Sequence, residues 1–219
     1  MWKAAGDAID IYSPDIYQSN FADWCNWYHR TGNPIFIPEA AGGATGEANV
    51  FYAIGQHDAI GFSPFGIDSW TDHDNNLGKS YRLLTELAPT ILRHQGMGQM
   101  TGFLFDKDHP STSVELNDYD LKISLDEIFG SKAEKGFGLI MADGPNQFLG
   151  VGRGFRVSFS PRSAGPQRAG VGYVEEGSFS EETWVPGRRL NGDENDQGHY
   201  WRFAPQRTNI EKVVVYRFE

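Results

Sequence analysis

Cysteine, basic charge and long apolar runs are all scarce in this sequence of 219 residues, and each shortage excludes a class of protein. The single cysteine, Cys25, rules out an internal disulfide, and no Cys/His spacing typical of a zinc site accompanies it. The net charge of −10 disfavours nucleic acid and anionic membranes as partners, because both need basic surfaces. No run approaches the ~18 apolar residues of a membrane span. No phosphate loop, dinucleotide fingerprint or metal motif occurs, so we predict no cofactor and no metal.

Aromatic residues, in contrast, are abundant at 14% of the chain, with six Trp, nine Tyr and fifteen Phe. They suit a sugar-binding surface, because pyranose rings expose C–H faces that pack on aromatic planes. They equally suit the core of a β-rich domain, and composition does not separate the two. A neutral sugar is compatible with the acidic charge. Residues 1–7 lack the apolar core of a signal peptide, which leaves the localisation open.

The first part of the chain, residues 1–96, alternates short apolar runs with helical patterns. Strands are predicted at 8–13, 34–39 and 59–63, and helices at 20–30, from about 45 to 56, and from Asn76 onward. Pro89 is expected to kink or divide the last helix. A β-α-β-α-β-α series of this kind predicts a parallel sheet with crossover helices.

Beyond Met97 the pattern changes to short strands separated by turn signals, such as 143–146 and 191–193. Short strands at this spacing predict an antiparallel β-sandwich, which we assign to residues 97–219. Residues 187–198 are polar and predict a mobile loop.

Glu39 is the main candidate for a catalytic residue in this sequence. It ends the apolar run 34–39 and precedes a Gly-rich turn at 41–44. In β/α barrels the active site lies at the C-terminal ends of the strands, so a carboxylate there is well placed to attack an anomeric carbon. The alternative is an ordinary glutamate that caps the following helix or forms a salt bridge in a loop.

Three ordered segments carry a family resemblance: DIYSPDIY at 10–17, GNPIFIPEA at 32–40 and FYAIGQHDAIGFSPFGI at 51–67. They resemble consecutive blocks of bacterial glycoside hydrolase family 35 β-galactosidases, and 32–67 is the most specific part. The tail from about Met97 resembles the β-rich C-terminal domain of that bacterial subgroup. The resemblance implies a fold of α/β plus all-β class: a partial (β/α) barrel of about three βα units, matching strands six to eight, followed by the antiparallel β-sandwich.

The resemblance also implies roles for individual residues. Glu39 matches the nucleophile at the end of the seventh barrel strand, while Asp15 and Tyr17 fall in the loop after the sixth. A tyrosine in that loop often hydrogen-bonds the nucleophile in this clan of hydrolases, which suggests Tyr17, with Tyr12 as the competitor and simple packing as the alternative for both. Three aromatic residues after the eighth strand are candidates for the apolar floor of a sugar site, or for plain packing: Phe62, Phe65 and Trp70.

The general acid/base of this family is a glutamate on the fourth barrel strand, upstream of anything present here. A retaining mechanism needs two carboxyl groups roughly 5 Å apart. We therefore expect a β-galactosidase-like fragment, weakly active or inactive on β-galactosides or related carbohydrates. The alternatives are a non-catalytic carbohydrate-binding or structural module, and weak hydrolysis of activated substrates. Because three barrel strands leave two open edges, we also expect a homo-oligomer.

Overall fold

The computed structural model describes residues 8–69, 75–128 and 130–219, and most of its regular structure is antiparallel β-sheet. Three α-helices lie in these ranges: α1 (Phe21–Tyr28), α2 (Gly43–His57) and α3 (Asn76–His94). The strands are β1 (Asp15–Ile16), β2 (Phe36–Ala40), β3 (Gly61–Pro64), β4 (Met100–Phe105), β5 (Ser111–Leu116), β6 (Tyr119–Leu125), β7 (Glu127–Ile128), β8 (Ser131–Lys132), β9 (Gly136–Gly144), β10 (Gln147–Arg153), β11 (Phe155–Pro161), β12 (Arg168–Ser180), β13 (Thr183–Arg189), β14 (Trp201–Phe203) and β15 (Asn209–Phe218).

A small parallel sheet, ordered β1-β2-β3, holds the first part of the described chain. Its strands are two, five and four residues long. On β2, the two residues Pro38 and Glu39 stand opposite the single residue Ser63 of β3, because Ile37 pairs with Phe62 and Ala40 with Pro64. Pro38 has no backbone N–H and could not donate a hydrogen bond to the neighbouring strand. The bulge therefore sacrifices no donor at this residue.

Two antiparallel sheets form the larger part of the molecule. One has six strands in the order β13-β12-β15-β10-β9-β4, and the other has four in the order β14-β11-β6-β5. They share a buried cluster that is rich in aromatic rings, among them Phe103, Phe155, Trp201 and Phe203. Phe155 stacks on Phe203 with ring centroids 4.3 Å apart. Many of the aromatic residues therefore serve the core between these sheets.

Helices α2 and α3 share a second buried cluster with the six-stranded sheet and the small parallel sheet. On α2, Phe51 stacks on Phe137 of β9 at a centroid distance of 5.6 Å. Gly55 of α2 and Gly102 of β4 meet so closely that a Cβ on Gly55 would lie 2.8 Å from the Gly102 Cα. This contact requires glycine, and it sets how near the helix lies to the sheet.

The predicted partial (β/α) barrel is wrong. Antiparallel sheets hold most of the strand residues, and α2 packs on β4 and β9 of the six-stranded sheet instead of surrounding a curved wall of parallel strands. The first predicted strand, 8–13, is also absent, and β1 begins at Asp15. Ile9 and Ile11 are 39% and 38% exposed, so their alternation with polar residues does not mark a buried face.

Helix α3 continues through Pro89 as one helix from Asn76 to His94, so the proline does not divide it, and a kink there stays a prediction. Buried residues on both sides of the proline, Leu84 and Leu87 before it and Ile91 after it, belong to one cluster, and this packing offsets the lost backbone hydrogen bond. No helix in the described ranges is both long enough and apolar enough to span a membrane. The division of the chain at residues 96 and 97 stays a prediction.

Candidate active site

Tyr17 and Glu39 meet at the C-terminal edge of the parallel sheet. Asp15 of β1 pairs in register with Glu39 of β2, and Tyr17 follows two residues later. Side chains two apart on an extended chain point to the same side, so Asp15 and Tyr17 share the side on which Glu39 lies. The Tyr17 hydroxyl donates a hydrogen bond of 2.6 Å to Glu39 Oε1. Tyr17 is 48% exposed, so the pair faces solvent.

The hydrogen bond to Glu39 raises the pKa of Tyr17 to about 12, with smaller contributions from desolvation and from the negative charges of Glu39 and Asp15. The phenol therefore keeps its proton, and remains a donor to the carboxylate, across the physiological pH range. A short hydrogen bond from a neutral donor to a carboxylate also fixes the direction in which the carboxylate oxygens point.

Glu39 does not cap the helix that follows it. Helix α2 begins after Gly42 without a side-chain hydrogen bond to its first turn. Within the described ranges, Glu39 forms no salt bridge either. The edge is held by the backbone: Phe65 N–H donates to the Ala40 carbonyl at 2.9 Å, and Ala41 N–H to the Ile16 carbonyl at 3.4 Å.

Tyr12, the competitor of Tyr17, does not hydrogen-bond to the Glu39 carboxylate. Its hydroxyl is buried and has no hydrogen-bond partner among the residues that the structure describes. Its backbone is fixed from the other side, because Asn33 accepts from Tyr12 N–H at 2.8 Å and donates to the Tyr12 carbonyl at 3.2 Å. The structure thus pairs Tyr17, and not Tyr12, with Glu39.

The aromatic candidates after β3 separate into two environments. Phe62 is buried and packs edge-on against Phe21 at a centroid distance of 6.1 Å, which is a core contact. Phe65 is 66% exposed just beyond the end of β3. Trp70 lies outside the described residues. Of the two that are described, only Phe65 presents a ring to solvent at this edge.

Comparison with known proteins adds a family but no activity. A sequence-family model described as a domain of unknown function, DUF5597, matches residues 77–202, more than half of the chain. The chain belongs to the DUF5597 family. No curated protein matches it. The DUF5597 match covers α3 and the antiparallel sheets up to Arg202, so Tyr17 and Glu39 lie outside the matched part.

One residue that positions this site in the DUF5597 chain was not predicted from the sequence. Asn33 is buried, and its side chain donates to the carbonyls of Tyr12 and Tyr28 at 3.2 and 2.8 Å. It ties the segment before β1 to the end of α1, and so places the chain that carries Asp15 and Tyr17. The available signal is the turn sequence Gly32-Asn33-Pro34, in which an asparagine side chain commonly bonds the nearby backbone.

A cavity of about 310 Å³ lies between the N-termini of α2 and α3, lined by Gly43, Ala44, Asn75, Asn76 and Leu77. Two of its lining residues, Gly43 and Ala44, follow Glu39 closely in the sequence, although Glu39 itself does not line the cavity. In the described part of the chain, no three His, Cys, Asp or Glu residues are grouped so that they could hold a metal ion.

Proposed function

We propose that this DUF5597 chain carries the nucleophile side of a β-galactosidase-like retaining glycosidase site, with Glu39 as the nucleophile and Tyr17 as its positioning residue. The observation that supports this proposal most is the 2.6 Å hydrogen bond from the Tyr17 hydroxyl to Glu39. The resemblance of segments 10–17, 32–40 and 51–67 to glycoside hydrolase family 35 gives the pair its proposed roles. In this proposal Asp15 accepts hydrogen bonds from sugar hydroxyls, and Phe65 packs on the apolar face of the ring.

The proposed chemistry is one displacement. A Glu39 oxygen forms a bond to the anomeric carbon while the bond from that carbon to the leaving-group oxygen breaks, and the leaving group departs with the electron pair. The product is a glycosyl ester on Glu39. Because the sequence has no counterpart of the family's general acid, the leaving group receives no proton. Only a leaving group that is stable as an anion, such as dinitrophenolate, is expected to depart at a useful rate.

The experiment is a rapid-mixing measurement of dinitrophenolate release from a dinitrophenyl β-galactoside. We expect a burst equal to the protein concentration, followed by slow turnover, because the ester forms faster than it is hydrolysed. Glu39→Gln should abolish the burst. The matched control is Glu134→Gln, which removes an exposed carboxylate elsewhere on the surface and should leave the burst unchanged. A burst that survives Glu39→Gln contradicts the proposal.

The alternative is a non-catalytic carbohydrate-binding module, which the two antiparallel sheets that form most of the described chain would supply. The same samples separate the two functions. Galactose binding that survives Glu39→Gln, together with no burst from either form, supports the binding module.

A further inference from the structure

Every second residue of β15 points away from the four-stranded sheet. Val213 and Val215 lie in the cluster buried between the two antiparallel sheets. Because side chains alternate along a strand, Tyr216 and Phe218 point to the opposite side of the six-stranded sheet. Ile210, which alternates in step with them, belongs to the cluster that the helices share. Tyr216 and Phe218 therefore lie on the side of the sheet on which the helices pack.

The helices cover this side of the sheet only in part. Helix α3 reaches the β12–β13 hairpin, where Phe179 N–H donates to Glu86 Oε2 at 3.3 Å. Farther from the hairpin turn, Tyr216 and Tyr173 are 51% and 37% exposed. Tyr173 pairs with Val214 of β15, so it shares the side of Tyr216. We call this exposed part of the sheet the open face; it consists of Gly170, Gly172, Tyr173, Tyr216 and Phe218.

The Tyr216 ring lies across β12 over two glycines. A Cβ on Gly170 would lie 3.0 Å from the Tyr216 Cζ and Oη atoms, and a Cβ on Gly172 would lie 3.6 Å from its Cδ1 atom. Gly170 is buried beneath the ring, and a larger residue there would displace it. With this side against the strand and about half of its surface exposed, the ring offers its other side to a ligand.

Two arginines stack on aromatic rings on either side of Tyr216 along β15. The Arg168 guanidinium lies 4.8 Å from the centroid of the Phe218 ring, and the Arg189 guanidinium lies 4.6 Å from that of Tyr173. The Phe218 ring in turn lies 5.5 Å from the Tyr216 ring. A stacked guanidinium keeps N–H groups at its edge, where they can donate to oxygen atoms of a ligand. The exposed Tyr216 ring is thus flanked by hydrogen-bond donors.

These features together select a neutral sugar. A pyranose ring has C–H groups on its faces, which pack on an aromatic ring, and hydroxyls at its rim, which accept from arginine. The arginines work against a cationic ligand, and the net charge of −10 works against a polyanion. A stable protein interface takes about 800 Å² from each partner, which is more than two half-exposed tyrosines and one phenylalanine supply.

We infer that the open face binds a neutral oligosaccharide of β-linked pyranose rings with equatorial hydroxyls, which have the flattest faces. One ring stacks on Tyr216, and Arg168 and Arg189 donate to hydroxyls of that ring or of its neighbours. The inference does not rest on the role proposed for Glu39. It deepens the carbohydrate-binding alternative by naming its surface and its ligand class.

The experiment titrates cellotetraose, a neutral β-linked glucose tetramer, into the full chain while NMR follows the amide signals of Gly172 and Tyr173. These signals should shift saturably, and the anionic tetramer tetragalacturonate should bind more weakly. No binding of cellotetraose, shifts confined to amides outside the open face, or a preference for tetragalacturonate would overturn the inference.

Variants of the ring and of its support locate the binding. Tyr216→Ala should weaken cellotetraose binding about tenfold, because it removes the stacking surface, whereas Tyr216→Phe keeps the ring and should bind normally. Gly170→Val should also weaken binding, because the valine displaces the ring while every aromatic residue remains. The matched control is Trp27→Ala, which removes a ring of similar exposure, 53%, from α1 and should leave the affinity unchanged.

Unchanged affinity in both Tyr216→Ala and Gly170→Val would overturn the inference. If a second copy of the chain covered the open face, Tyr216→Ala would lower the mass measured by light scattering and leave cellotetraose binding unchanged, which also overturns it. Glu39→Gln should bind cellotetraose as the original chain does. A failure of this inference is therefore distinguishable from a failure of the nucleophile role, which the dinitrophenolate burst reports.

Discussion

The Tyr17 phenol and the Glu39 carboxylate form a pair whose geometry depends on two neighbouring residues. Asn33 fixes the backbone of the segment before β1, and Pro38 lies with Glu39 in the bulge of β2 opposite Ser63. The pairing of Tyr17 with Glu39 was within reach of the sequence through the family resemblance. The choice between Tyr17 and Tyr12 was not, because it depends on which hydroxyl is buried, and spacing alone does not reveal burial.

Replacing the tyrosine tests this pair. Tyr17→Phe removes the donor that orients Glu39, so the burst rate with dinitrophenyl β-galactoside should fall about tenfold. Tyr12→Phe removes a hydroxyl that has no partner in the described ranges and should leave the burst rate unchanged. Equal effects from the two variants would contradict the role of Tyr17.

The same contact has a signature in alkaline titration. Because the hydrogen bond to Glu39 is the main cause of the raised pKa, Glu39→Gln should lower the pKa of Tyr17 from about 12 toward the ordinary value of 10. The raised pKa means that the folded chain favours the protonated phenol. This contribution to stability is complete below pH 10 and is lost as the pH rises through about 12. Carbon NMR of the tyrosine Cζ atoms, with Tyr17→Phe for assignment, measures the shift.

At the scale of elements, β15 carries a buried carboxyl group at Glu211. It is 1% exposed, and it accepts from Trp201 Nε1 and from Asn209 Nδ2, both at 2.8 Å. Desolvation by burial raises its pKa to about 8, and its two hydrogen bonds only partly oppose that rise. Burial therefore favours the protonated form of Glu211 in the folded chain, against the two hydrogen bonds, which favour the carboxylate.

The pH dependence of folding follows from this shift. A folded-state pKa above the ordinary value of 4.5 means that the folded chain binds the proton more tightly, so the stabilisation is full below about pH 4.5 and is lost as the pH rises through about 8. The free energy of unfolding in urea should therefore decline over this range, and Glu211→Gln should flatten the decline. Tryptophan fluorescence follows the unfolding transition. An identical slope in the variant would contradict this assignment.

The helices show which structural features the sequence pattern can predict. Apolar periodicity predicted α2 and α3 to within a few residues, because each helix needs one buried stripe. Periodicity does not say which surface covers that stripe. Helix α2 packs through Gly55 on Gly102 of β4, a contact between residues far apart in the chain, and this is why the barrel prediction failed.

At the scale of the whole molecule, two antiparallel sheets and a helical layer surround two buried clusters. Hairpins such as β5–β6 and β9–β10 join strands that are neighbours in sequence, and turn signals mark them. The pairing of β15 with both β10 and β12 joins distant segments. No local pattern encodes such a pairing, so the strand order of the sheets could not be derived from the sequence.

The open edges of the parallel sheet carry a prediction about assembly. In the described part of the chain, β1 and β3 each have a neighbour on one side only, and Ile60 next to β3 is 58% exposed. Because unpaired strand edges favour association, we expect a homo-oligomer. Light scattering coupled to size exclusion should give at least twice the monomer mass, and a single monomeric peak would contradict the prediction.

Covalent trapping tests the proposed nucleophile role of Glu39 most directly. The chain is incubated with an activated fluorinated galactoside, whose ester hydrolyses slowly, and the labelled peptide is identified by mass spectrometry. We expect one galactosyl group per chain on Glu39, no label in Glu39→Gln, and no turnover of lactose by this chain. A label on any other residue, no label at all, or lactose turnover at rates typical of β-galactosidases would contradict this role.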